Sequence, residues 1–273
     1  MKKIVAILLA AMMLLGCVAC GETEKDDNKN AVQTPTAEAT EQATEAPDES
    51  EKPVIKMATN AYFQPYEYYD GDKIVGIDAE IAAAIAEKLG MELVIEDMAF
   101  DSIITAVKEG SVDFGMAGMT VNLDRQKEVD FSTSYANGVQ AIIVPEDSSI
   151  TTVDDLYAEG AAYKVGVQLG TTGDTYSTDD FGKELVTQYA NGNEAVMALK
   201  GGSVDCVIID NEPAKALVAA NKGLKILETS YADEDYAICV KKGNTELLDK
   251  INTAIDELTT EGKIDEIVSK YIK

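Results

Sequence analysis

The chain has 273 residues, 46% hydrophobic and 26% charged, with 23 basic against 49 acidic side chains and a formal net charge of −26. That length suits one large domain or two smaller ones with real cores, and so acidic a surface repels nucleic acid and anionic lipid headgroups. There is no histidine, which excludes Ser-His-Asp and Cys-His catalysis and any histidine-ligated metal.

The first residues read as targeting. Met1-Lys2-Lys3 is a positive start, and Ile4 to Leu15 is an apolar run too short to span a bilayer comfortably. It ends in LLGC, so residues 1–16 are expected to be a lipoprotein signal peptide with Cys17 as the lipidated residue; CVAC makes Cys20 the alternative. Residues 17–52 then shift to Thr, Glu, Ala, Gln, Asp and Pro, with Val32 as their last β-branched aliphatic. Such a segment buries too little apolar surface to offset its ordering entropy, and reads as a disordered acidic tether.

The folded part is expected from Pro53. VIKMAT predicts a strand. GIDAEIAAAIAEKLG predicts a helix capped by Asp78, with Ile81, Ile85 and Leu89 on one face and Gly90 as its stop. MELVIE is a strand, FDSIITAVKEG a helix capped by Asp101 and stopped by Gly110, and VDFGMAG a strand. The second part alternates in the same way. YKVGVQ (strand), TTGDTYSTD (short helix), NEAVMALKGG (helix capped by Asn193), VDCVIID (strand) and EPAKALVAANKG (helix) lead to a C-terminal helical stretch from Glu246 to Ile272. Strand–helix alternation implies an α/β fold with a mostly parallel sheet.

One phrase occurs twice. AVKEGSVDF, from Ala106 to Phe114, is echoed by ALKGGSVDC, from Ala198 to Cys206. Each copy is a helix end, a glycine stop and a buried strand, and ligands in open α/β sheets bind beyond the carboxyl ends of strands. The first strand delivers Gly118, Thr120 and then Arg125; the second delivers Asp210. Arg125 offers a planar fork for a carboxylate, against the plainer reading of a surface pair with Asp124, Glu128 or Asp130. LGTTGD, Leu169 to Asp174, puts threonines at a helix start where free N–H groups favour an anion. Asp210 suits an ammonium group, against the alternative of a helix cap. Together these residues can trap the two charged ends of a free α-amino acid. Cys206 and Cys239 sit in apolar runs and read as small hydrophobes, with a disulfide between them as the alternative.

From about Val54 to Lys273 these motifs, in their order and spacing, resemble the polar amino-acid family of bacterial solute-binding proteins, the extracellular receptors of ABC importers. The resemblance rests on GIDAEIAAAIAEKLG, FDSIITAVKEGSVDFGMAGMTVNLDRQKEVDFS, VGVQLGTT, SVDCVIIDNEPA and EGKIDEIVSKYI. It implies a two-lobed, type II periplasmic-binding α/β fold, with two mixed sheets flanked by helices and joined by two hinge strands. Lobe 1 is expected over residues 53–138 with 237–273, lobe 2 over 139–236, and the hinges near Tyr135–Ala141 and Asp235–Ala237.

The same resemblance implies that Arg125 holds the ligand carboxylate with Gly118, Thr120 and Thr172, that Asp210 holds the amino group, and that Phe63 and Phe100 sandwich the ligand. Met119 and Thr171 are expected to line the same site. Asn60 stands where many members carry Asp and Gln168 where a Lys may occur, which favours a polar uncharged ligand over a basic one. Tyr66, Tyr68 and Tyr69 are expected to cover a loop. The implied partners are a free amino acid, a permease with its cytoplasmic ATPase, and a membrane of a Gram-positive bacterium reached through the lipid anchor. No cofactor, metal, nucleic acid or catalysis is expected, and the protein is expected to act as a monomer. The other readings are a sensory ligand-binding subunit and a cyclohexadienyl-dehydratase-like enzyme of the same fold.

Overall fold

The computed structural model describes residues 52–272; the leader, with Cys17 and Cys20, and nearly all of the tether lie outside the described residues. In chain order the elements begin with β1 (Val54–Thr59), a small hairpin of β2 (Tyr62–Phe63), β3 (Glu67–Asp70) and β4 (Lys73–Val75), and helix α1 (Ile77–Lys88). Then come β5 (Glu92–Asp97), α2 (Phe100–Glu109), β6 (Phe114–Gly115), α3 (Leu123–Glu128) and the long β7 (Val129–Pro145). The chain continues through β8 (Val165–Gln168), α4 (Thr172–Phe181), β9 (Val186–Tyr189), α5 (Gly192–Lys200), β10 (Cys206–Asp210), α6 (Asn211–Ala220) and β11 (Leu224–Ile226). It returns along β12 (Ala232–Lys241) to helices α7 (Thr245–Thr260) and α8 (Lys263–Tyr271).

β2, β3 and β4 form a small sheet of their own, and the other nine strands make one mixed sheet in the order β5-β1-β6-β12-β7-β10-β8-β9, with β11 also on β7. β1 runs parallel to β5 and β6 at one end, and β8 runs parallel to β10 and β9 at the other. Only β7 and β12 carry the chain between them. β7 has 17 residues, roughly 55 Å of extended chain, and it serves both ends: Val129–Gln140 pair with β12, while Gln140–Pro145 pair with β10 and β11. The two expected sheets are therefore fused into one ladder through the crossover strands. The β7–β12 register shifts between Tyr236 and Ala237 and again between Ala237 and Cys239. Such irregularities break the ladder locally and bend the strands, and they lie at the segments expected to act as hinges.

The largest core cluster runs through both ends, from the α1 face to Val196, Leu199 and Ile209. In the first lobe the α1 face of Ile77, Ile81 and Ile85 packs with Phe114 and with Ile251, Ile255 and Leu258 of α7, following the spacing of an amphipathic stripe. On the other sheet face, Ile103 and Val107 of α2 meet Met119, Val129 and Cys239. In the second lobe Ile142, Val144, Val165, Val167, Cys206 and Ile208 form a separate cluster. Cys206 and Cys239 are both buried and free, in different clusters, so they pack as hydrophobes and make no disulfide.

The repeated phrase is the same joint built twice. Gly110 and Gly202 take the left-handed conformation after α2 and α5. Ser111 N–H reaches back to Ala106 O, and Ser203 N–H to Ala198 O. Asp113 and Asp205 each take the backbone N–H of a lysine on the neighbouring chain, Lys56 and Lys164, at 2.7 Å. Each joint then feeds a strand whose far end opens on the same cleft.

Three expected helix caps are corrected. Asp78 does not cap α1. Gly76 occupies the N-cap without a side-chain bond, because Pro65 O and Tyr66 O of the hairpin already accept from Ile77 N and Asp78 N at 3.0 and 2.9 Å. A Cβ on Gly76, at φ +127°, would lie 2.2 Å from Tyr66 O, so this close seam requires glycine. Asp101 lies inside α2, behind Ala99, and Asn191, not Asn193, caps α5 by accepting from Glu194 N. The C-terminal stretch is two helices, broken where Gly262 takes φ 70°.

Candidate functional site

The cleft lies where the carboxyl ends of β1, β6, β8 and β10 meet. From the first lobe it is lined by Asn60, Phe63, Glu67, Phe100, Ala117, Gly118, Thr120 and Arg125, and from the second by Gln168, Thr171, Thr172 and Asp210. Ten of the expected residues are thus brought together. Met119 is the exception: its side chain is fully buried in the α2 cluster. The chain bends at Ala117 and Gly118, where Gly118 takes φ +52°, and beyond the bend Met119 turns into the core while Gly118 and Thr120 line the cleft.

Arg125 sits in the first turn of α3, whose cap Asn122 accepts from Arg125 N at 2.8 Å. The residue is only 8% exposed. None of the three carboxylates expected as alternatives pairs with it: Asp124 pairs with Lys127, Glu128 with Lys108, and Asp130 with Lys242. Arg125 Nη1 instead donates to Thr120 O at 2.7 Å, and Nη2 to Gly170 O, across the cleft, at 3.1 Å. Phe100 supports it from one side, with the guanidinium carbon 5.3 Å from the ring centre, a cation–π distance. Among the described residues Arg125 makes no ion pair; burial disfavours its charge, and the more distant Glu234 and Asp210 support it, an environment that suits an incoming anion.

Asp210 ends β10, at the N-cap position of α6 but with no capping bond. Its Oδ2 accepts from Gln140 Nε2 at 2.7 Å, and its Oδ1 from the Tyr236 hydroxyl. The same Gln140 amide donates to Glu234 Oε2 at 2.8 Å. Gln140 and the pair Glu234 and Tyr236 belong to β7 and β12, so this acid is anchored on the two crossover strands. Burial first, and then the facing Glu234, push the Asp210 carboxyl well above the usual carboxylate range. An ammonium group placed here would relieve both effects.

The walls cross between lobes at further points. Gln168 Nε2 donates to Asn60 Oδ1 at 2.9 Å, and Asn60 Nδ2 to Met98 O at 2.8 Å. The Thr120 and Thr172 hydroxyls approach to 3.5 Å. Thr171 caps α4 and also donates to Gln168 O at 2.8 Å. With Arg125 on Gly170, these contacts define a closed cleft. Gly118 has φ +52°, and a Cβ there would meet Phe63 Cε1 at 2.7 Å; its glycine lets the ring cover the backbone. Phe63 stacks on Tyr66 at 5.8 Å, and Tyr66 meets Tyr236 edge-on at 5.3 Å. Tyr66, 3% exposed, packs in the core behind Phe63, where it was expected to cover a loop, and is not among the residues that line the cleft.

Sequence reasoning missed Glu67. It begins β3, is fully buried, and neither carboxylate oxygen has a hydrogen-bond donor. Beside it lies Asp78, whose Oδ2 accepts from Gly118 N and the Tyr135 hydroxyl, each at 2.8 Å, and whose Oδ1 has no donor. Burial outweighs those two bonds and pushes Asp78 up to about 6. Burial and the neighbouring Asp78 push Glu67 well above the usual carboxylate range. In the sequence this residue is one acid among tyrosines in a turn-rich stretch, with no pattern to distinguish it from a solvated one.

The family model of the bacterial extracellular solute-binding proteins, family 3, matches residues 55–273. The chain belongs to this family. Among its relatives, the arginine-binding extracellular protein ArtP of Bacillus subtilis (strain 168) is 31% identical over 280 residues, covering 99% of this chain and 98% of its own. Two solved structures of an ancestral arginine-binding protein, one bound to glutamine and one to arginine, are each 40% identical with a TM-score of 0.75. They cover 81% of this chain and 98% and 99% of their own. The type II periplasmic-binding fold is thereby established for this family member, and these relatives are named as amino-acid-binding proteins.

Proposed function

We propose that this family 3 protein is the extracellular receptor of an ABC importer, taking up a free polar L-amino acid between its lobes and presenting it to a permease served by a cytoplasmic ATPase. One observation carries this reading: a single closed cleft holds a buried arginine at one end and a buried carboxylate at the other, neither of them in an ion pair among the described residues. Arg125, with the Thr120 and Thr172 hydroxyls, takes the ligand carboxylate. Asp210 takes the ammonium group, and Phe63 and Phe100 flank the ligand. Charge-assisted hydrogen bonds contribute about 1.5–3 kcal/mol each, so a handful reaches micromolar affinity, roughly −8 kcal/mol.

The ligand bridges residues 53–138 with 237–273 to residues 139–236. It therefore binds the closed form better and shifts the population toward it. Asn60 carries no charge toward the ligand and is satisfied by Gln168 and Met98 O, which favours a neutral polar side chain. Glu67 leaves room for a cation as well. The name of ArtP and the two ligands of the ancestral protein support this range.

Cys17 is the proposed lipid anchor to the outer face of the cytoplasmic membrane in a Gram-positive host. Changing Cys17 to Ser is expected to abolish lipid labelling, whereas loss on changing Cys20 would reassign the anchor. For the receptor reading, deletion of the gene is expected to abolish uptake of the labelled amino acid, with restoration on re-expression. Unchanged uptake with a lost transcriptional or chemotactic response would assign a sensory role instead.

A further inference from the structure

Most polar side chains lining the cleft have partners or a role at the ligand's two head groups. Asn60 and Gln168 satisfy each other, and Thr171 is held by Asp174 N and Gln168 O. Glu67 is left over, a carboxyl group with no solvent exposure and two oxygens without donors. A buried ionised carboxylate in that state is costly. The hairpin seam explains how it is tolerated. The bonds from Ile77 N and Asp78 N to Pro65 O and Tyr66 O fix β3 against the first turn of α1, setting Glu67 beside Asp78. One proton placed on Glu67 donates to Asp78 Oδ1, the third orphaned oxygen, and leaves the other Glu67 oxygen free to accept. Tyr66, Tyr135, Asp97 and Asp210 are the remaining titratable groups that act on Glu67 or feel its charge, and none is a cation.

We propose that Glu67 is the side-chain receptor of the cleft and serves two ligand classes by changing its protonation state. Against a neutral amide side chain it stays a carboxylic acid, sharing its proton with Asp78 and accepting from the ligand N–H with its free oxygen. A cationic side chain instead breaks the Glu67 O–H bond: the proton leaves to solvent, and the carboxylate pairs with the ligand charge. Net charge in the cleft is then the same with either ligand. This rests on the amino-acid-receptor reading above.

The test is calorimetric titration of the protein with L-arginine and with L-glutamine, in phosphate and in Tris at one pH near 7, which counts protons exchanged on binding. Arginine is expected to release about one proton more than glutamine. Its affinity should rise with pH more steeply than that for glutamine, by up to about a further tenfold per pH unit over the range where free Glu67 is protonated, because proton release at Asp210 is common to both ligands. Glu67→Gln should remove the extra proton and reduce the arginine profile to the slope of the glutamine one. The two-buffer comparison on the unaltered protein decides the matter if that variant does not fold. Equal proton counts for the two ligands, or binding of glutamine alone, would overturn the inference while leaving the receptor reading intact. No binding of any free amino acid would overturn both.

Discussion

Asp210→Asn separates a ligand-binding carboxylate from a structural one, because its two effects should have opposite signs. In the folded protein both oxygens of Asp210 are occupied, one by Gln140 Nε2 at 2.7 Å and one by the Tyr236 hydroxyl. An asparagine of the same shape keeps an acceptor for Gln140 and can donate to the Tyr236 oxygen, which also accepts. Burial and Glu234 already hold this carboxyl toward its neutral form, and asparagine mimics that form. The melting temperature without ligand should therefore hold or rise by a few degrees. Binding should weaken, because the ammonium group loses a charge-assisted bond worth about 1.5–3 kcal/mol, or about 10- to 150-fold in Kd. The corresponding desamino acid, which has no ammonium group, should lose much less. Calorimetry with both ligands and a melting curve without either make the comparison. Equal losses for the amino acid and its desamino analogue, or a fall in the ligand-free melting temperature, would refute the ammonium role.

Arg125→Lys keeps the charge but cannot reach Thr120 O and Gly170 O together as the fork does; affinity should fall at least about 100-fold, measured by calorimetry. Gly118→Ala forces a Cβ onto Phe63 Cε1, 2.7 Å away, at φ +52°; backbone strain alone is about 1–2 kcal/mol, so both the melting temperature and the affinity should drop. The buried acids make stability pH-dependent. In the folded state Asp78 is raised to about 6 from an ordinary 3.8, and Glu67 and Asp210 move the same way. Each binds its proton more tightly when folded, so this stabilisation is complete below about pH 4 and is lost as pH rises through the folded values. For Asp78 alone that is on the order of 3 kcal/mol. Urea unfolding should give a lower ligand-free stability at pH 8 than at pH 5, and Asp78→Asn should shrink the difference; a rise toward pH 8 would contradict it.

The sequence made the scaffold legible where one residue type does one job. Gly110 stops α2, the isoleucines of α1 keep helical spacing, and the repeated Gly-Ser-Val-Asp phrase marks the joint before β6 and β10. Arg125 was readable because it lies just beyond the Thr120 strand end behind a capping Asn122. What was not legible depended on partners distant in the chain. Asp78 reads as a helix cap until the hairpin's Pro65 and Tyr66 carbonyls take up the first N–H groups of α1. Met119 has the neighbours of a ligand contact, but the bend at Gly118 turns it into the core. The role of Glu67 emerges only when β3 folds it against α1 beneath Phe63. Glu234 and Gln140, which hold Asp210, sit on the crossover strands, and their meeting requires the β7–β12 register.

The central claim is that this cleft binds a free polar amino acid by both of its charged ends. A thermal-shift screen of the protein against the free L-amino acids tests it directly. At about 100 times Kd a ligand adds about 2.7 kcal/mol, or roughly 5–11 °C for a body of this size. The account predicts such a rise for one or a few polar amino acids, lost for both the desamino and the decarboxylated forms of each. No shift with any amino acid, or an equal shift with the forms lacking either charged end, would contradict it.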